Sequence, residues 1–178
     1  MPNRDGSLKA REFVFFCEDY VLTRLPAGLP QPERRVMWTI LQFHFGDPDV
    51  HFELQPQMGR GVVEMGLHFE GTPVANEAWA EAIGVRAGDV LAELGPEWEL
   101  EEWTASWRRL HRPYRFDRLT AALGREVGDE LLKGMAVLTP IIRSCAPEIA
   151  ALPGGTKEPP GRDGKPGGRR RWHARARR

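Results

Sequence analysis

Little in this chain of 178 residues belongs to the common catalytic toolkits. Its two cysteines, Cys17 and Cys145, form no CxxC pair, which argues against a disulfide framework and against a cysteine zinc site. Both lie in apolar helical contexts, where a free thiol packs as a small hydrophobe. Ser7, Ser106 and Ser144 are the only serines, and no G-x-S-x-G is present, so a serine-nucleophile hydrolase has no support. No glycine-rich dinucleotide loop, Walker A loop or H-E-x-x-H occurs. No apolar run reaches the ~18 residues that span a bilayer, and Met1–Ala10 offers no apolar signal core. The expectation is a cytoplasmic protein without a membrane partner.

Charge is unevenly spread. From Pro153 onward, nine lysines and arginines face only Glu158 and Asp163, a surplus of seven positive charges. Residues 1–152 carry the matching surplus of seven negative ones. The neutral total is thus a cancellation between an acidic body and a basic end. Residues 153–178 are rich in Pro, Gly and Arg and poor in apolar side chains, the composition of a disordered tail. The predicted organisation is one domain over 1–152 and a basic tail over 153–178.

Apolar spacing predicts a helix from an N-cap at Ser7 to about Arg24, then a proline-rich loop over 26–32. Residues 36–45 read as a first strand. Residues 50–57 and 62–70 alternate strictly, separated by turns at Gly46-Asp47-Pro48-Asp49 and Gly59-Arg60-Gly61. A helix capped by Asn76 is predicted to Leu94, where Gly95-Pro96 stops it. Residues 98–114 carry two alternations out of phase, which one long strand with a bulge near Glu101-Glu102 would reconcile. A last helix starts near Asp117, with Pro140 expected to kink or break it. The fold class is a two-layer α+β domain, an antiparallel meander of three to five strands packed by helices, in the order α-β-β-β-α-β(β)-α.

Tight turns fix the strand register. They set His44 opposite His51, His51 opposite His68, Gln42 opposite Glu53 and Gln55 opposite Glu64. His44, His51 and His68 then form one row on the outward face, with Glu53, Glu64 and Glu70 nearby. Directly opposed side chains stand about 4.5–5.5 Å apart at Cβ. Three imidazoles at that spacing are candidate zinc ligands, and the same six residues are candidate acid–base groups. The leading reading of this face is a plain polar one, solvated or covered by a helix, with no cofactor; a zinc or magnesium site is the alternative.

The element order resembles the α-β-β-β-α-β core of the PD-(D/E)xK nucleases. Glu64-Met65-Gly66 stands where that family has an acidic residue and a lysine two apart, with Gly66 in place of the lysine. The resemblance implies carboxylates holding Mg²⁺, and the missing lysine leaves no obvious activator for the attacking water. With residues 98–114 divided into two strands, the order is also similar to that of the type III secretion chaperones. That likeness implies binding of partner peptide segments and no chemistry.

Two further features point to macromolecular partners. Trp103 and Trp107 interleave with Arg108, Arg109 and Arg112, a pattern that can stack bases and neutralise phosphates. Arg169, Arg170 and Arg171 in the tail would attract any polyanion. On sequence alone the leading expectation is therefore a non-catalytic module that binds a partner protein or nucleic acid. A metal- or acid/base-dependent, hydrolase- or nuclease-like enzyme is the alternative.

Overall fold

In the computed structural model, which describes residues 6–157, ten elements follow in the order α-β-β-β-β-α-α-β-β-α. Helix α1 (Ala10–Leu22) begins where the Glu12 carboxylate accepts the Lys9 backbone N–H at 3.0 Å. The cap is therefore not Ser7, which instead bridges to Thr120. The first predicted strand is two strands, β1 (Glu33–Met37) and β2 (Ile40–His44), joined through Trp38-Thr39. Trp38 takes a φ of 58°, the left-handed region that a bulky residue rarely occupies. With neither Gly nor Asn at that turn, nothing in the composition marks it.

Strands β3 (Val50–Gln57) and β4 (Val62–Phe69) occupy the positions their alternation predicts. Thr72, not Asn76, caps the next helix: its hydroxyl accepts the Ala75 N–H at 3.1 Å, with Pro73 in the first turn. That helix ends early. The predicted span to Leu94 is divided into α2 (Pro73–Gly84) and α3 (Ala87–Leu94). Residues 98–114 form a hairpin, not a bulged strand: β5 (Glu99–Glu102) and β6 (Arg108–Arg115). Helix α4 (Ala121–Ala150) runs through both Pro140 and Pro147. Its buried side chains on both sides of Pro140, among them Met135, Leu138 and Ile149, hold the segment against the core and offset the lost hydrogen bonds.

All six strands form one open antiparallel sheet in the order β1-β2-β3-β4-β6-β5. One face is apolar. Leu41, Phe43, Phe52, Leu54, Met65, Leu67, Phe69 and Leu110 pack in a single cluster with the buried sides of the four helices. The architecture is thus the expected two-layer α+β fold, with more strands than anticipated. No helix among the described residues is long and apolar enough to cross a membrane.

The opposite face of the sheet carries the polar residues, and its centre is shielded from water: His51, Glu53, Glu64, His68, Arg109 and His111 are buried. Strand β4 is buried at all eight positions. In the centre sits Gly66, paired with His111 of β6. A Cβ there would lie 2.4 Å from the Leu110 carbonyl oxygen and 2.6 Å from His111 Cα, so only glycine lets the two strands approach this closely.

Candidate metal centre

The registers derived from the turns hold. His44 pairs with His51, His51 with His68, Gln42 with Glu53 and Gln55 with Glu64. The row extends further, to Arg109 on β6 and Glu101 on β5.

Four side chains of this face converge. One ligand atom from each of His51, Glu53, His68 and Glu70 lies within 4.8 Å of the other three. His51 Nε2 stands 3.5 Å from Glu53 Oε2 and 4.0 Å from Glu70 Oε1, and His68 Nδ1 is 3.6 Å from the same Glu70 oxygen. The two imidazoles stack with centroids 5.7 Å apart. An ion with bonds of about 2.0–2.2 Å spans such a group after small side-chain adjustments.

His51 is oriented from behind. Its Nδ1 donates to the Pro48 carbonyl at 2.8 Å, which turns the Nε2 lone pair toward the cluster. Metal-binding histidines are held in this way by a backbone carbonyl or carboxylate. The Gln42 amide nitrogen donates to His51 Nε2 at 3.0 Å and to Glu53 Oε2 at 2.8 Å, occupying two lone pairs that an ion would otherwise take. His68 has no such partner. It is fully buried, and neither ring nitrogen makes a hydrogen bond among the described residues. Leaving a buried polar atom unpaired costs about 1–3 kcal/mol.

Charge points the same way. Among the described residues, the ion-pair partners of Glu53 and Glu70 are the imidazoles of His51 and His68, with no lysine or arginine paired to either carboxylate. Burial opposes ionisation of Glu53, yet the neighbouring His51 and His68 and the Gln42 hydrogen bond hold its pKa below the ordinary value. Burial likewise opposes the charged form of His51, but the Glu53 carboxylate, the Pro48 carbonyl and the Glu70 charge outweigh it and raise its pKa. Such a site has a strong demand for positive charge.

A second network lies alongside. Glu64 accepts a short hydrogen bond from His111 Nδ1 and faces Arg109 Nη1 at 3.3 Å. Arg109 also donates to Glu101 through Nε at 2.7 Å. Burial raises the Glu64 pKa, but His111 and Arg109 more than reverse this and leave it lowered. Glu64 is thus in a salt-bridge network and outside the four-residue group.

His44 departs from the three-histidine expectation. It keeps its place in the row, but its Nε2 faces Glu33 on β1 at 4.0 Å, and its ring does not join the group. Two carboxylates take the place of the third imidazole.

The tryptophan–arginine segment divides between faces. Arg108 and Arg112 point to the helices, pairing with Glu77 at 2.9 Å and Glu130 at 2.9 Å. Arg109 lies on the polar face, and Trp103 stands over it and over His68. Trp107 is half-buried. Arg169, Arg170 and Arg171 lie outside the described residues, as does most of the basic tail. Sequence reasoning placed Gln42 opposite Glu53 but did not single out Glu101 or His111 as part of this face. The β6 residues become visible only once the β5–β6 hairpin is recognised, because its register places His111 beside Gly66.

Comparison of the chain with protein-family models, with curated proteins and with solved structures returned no match. Function is therefore argued from this geometry.

Proposed function

We propose that this protein binds a divalent transition-metal ion through His51, Glu53, His68 and Glu70. The observation that carries the reading is His68: a fully buried imidazole whose ring nitrogens make no hydrogen bond among the described residues, set with three other ligand side chains whose ligand atoms lie within 4.8 Å. Two imidazoles and two carboxylates suit zinc first, and also manganese, iron(II) or cobalt. A magnesium site built on carboxylates and water is a poorer match to this donor set.

Glu70 is the one ligand whose side chain is partly exposed, at 19%. It marks the side from which a water or substrate oxygen could complete the coordination, which keeps hydrolytic chemistry within reach of the site. A macromolecule-binding role through β6 draws less support, because Arg108, Arg109 and Arg112 each already face a carboxylate.

Elemental analysis of the purified, zinc-equilibrated full chain tests the proposal. One ion per chain is expected, with loss in a His51→Ala, His68→Ala double variant that remains folded. Absence of a stoichiometric ion, or an equal content in the double variant, overturns it.

A further inference from the structure

The four ligands raise a problem of access. His51 and His68 side chains are 3% and 0% exposed, so a hydrated ion cannot reach them unless something moves. Trp103 packs directly on His68. Its indole meets the His68 ring edge-on, with centroids 5.0 Å apart at 74°, while the residue itself is 37% exposed.

The loop that carries Trp103, residues 103–107, is pinned at the rear. The fully buried Asn76 donates to the Ser106 carbonyl at 2.7 Å. The Thr104 hydroxyl accepts the Trp107 N–H at 2.9 Å, and the Trp103 N–H reaches the Trp107 carbonyl at 3.1 Å. The backbone is therefore fixed, and the freedom lies in the Trp103 side chain. That ring is held by the His68 contact, by the Arg109 guanidinium, 5.1 Å from its centroid, and by the Trp107 ring, 5.6 Å away. Aromatic pairs and cation–π contacts of this kind are weak enough to break thermally and strong enough to keep a cover mostly closed.

From this geometry we infer that Trp103 is the gate of the metal centre: its indole swings off His68 to admit or release the ion, while the loop backbone stays in place. The inference rests on the metal-binding reading. Gln42 is the second group to give way, since its amide occupies His51 Nε2 and Glu53 Oε2 until the ion arrives.

The test is kinetic. Zinc uptake by the full-length chain is followed by stopped flow, and release by transfer to a chromophoric chelator, in wild type, Trp103→Ala and Trp103→Phe. Loss of the ring contacts is expected to speed both uptake and release about tenfold in Trp103→Ala. Because both rates rise, the dissociation constant stays nearly constant. Trp103→Phe keeps a ring in place and gives a smaller acceleration; it carries the test if the alanine variant fails to fold. Trp38→Ala, at the exposed tip of the β1–β2 hairpin, should leave both rates unchanged.

Wild-type rates in both Trp103 variants overturn the gate and point to entry along Glu70. A change in release alone also overturns it, since that makes Trp103 part of the bound state's stability. A wild-type chain that takes up no zinc defeats the metal reading and the gate together, whereas stoichiometric uptake with unaltered variant kinetics defeats the gate alone.

Discussion

Replacing His68 with leucine should make the metal-free protein more stable. The side chain is fully buried, and both of its ring nitrogens lack a hydrogen bond. Each such atom costs about 1–3 kcal/mol in the folded state, and leucine has none to satisfy. Against that gain stand the lost ring contacts with Trp103 and His51, about 0.5–1.5 kcal/mol each. The balance is a stabilisation of about 1–2 kcal/mol, or roughly 3–6 °C in Tm for a domain of this size. The assay is denaturant and thermal unfolding in the presence of a chelator. The same variant should lose the stabilisation that zinc gives wild type, about 2.7 kcal/mol at a hundredfold excess over Kd. A His68→Leu protein less stable than metal-free wild type would refute the reasoning, because it would mean that the imidazole is already satisfied without an ion.

Three other outcomes follow from the same structure. Gly66→Ala forces the β4–β6 pair apart at Leu110 and His111 and should cost about 1–3 kcal/mol in denaturant unfolding, with little change if the strands can slide. Glu64 has a folded pKa below its unfolded value of about 4.3, so its contribution is present above that pH and is lost as pH falls through the folded pKa. Glu64→Gln should flatten the acid limb of the stability–pH curve, which equilibrium unfolding at stepped pH can read. Burial pushes the Cys17 thiol up to about 12, so a thiol reagent at neutral pH should modify it only after global unfolding.

Much of this is legible in the amino-acid sequence itself. The β2–β3 and β3–β4 turns are short and carry Gly46 and Gly61 at positive φ, and that chemistry fixed the pairing of His44, His51 and His68. What failed has identifiable physical causes. The Trp38-Thr39 turn has no glycine or asparagine to announce it, so β1 and β2 read as one strand. The β5–β6 hairpin turns over five residues whose two tryptophans look like strand, and the break between α2 and α3 falls at Val85-Arg86 with no proline. The polar face read as a solvated surface because alternation reports which side a residue faces, not what lies over it. Trp103 packs on His68 and Arg109 from a loop that local pattern cannot place. Likewise, convergence of Glu70 and divergence of His44 depend on side-chain direction at the ends of the strands, beyond the reach of register.

The central claim is that His51, Glu53, His68 and Glu70 share one ion, and X-ray absorption at the zinc edge of the zinc-loaded full chain tests it most directly. The account predicts four or five nitrogen and oxygen scatterers near ~2.0–2.2 Å, two of them with the multiple-scattering signature of imidazole, and no sulfur. A sulfur shell near ~2.3 Å, or an ion surrounded by water with no imidazole signature, would contradict it.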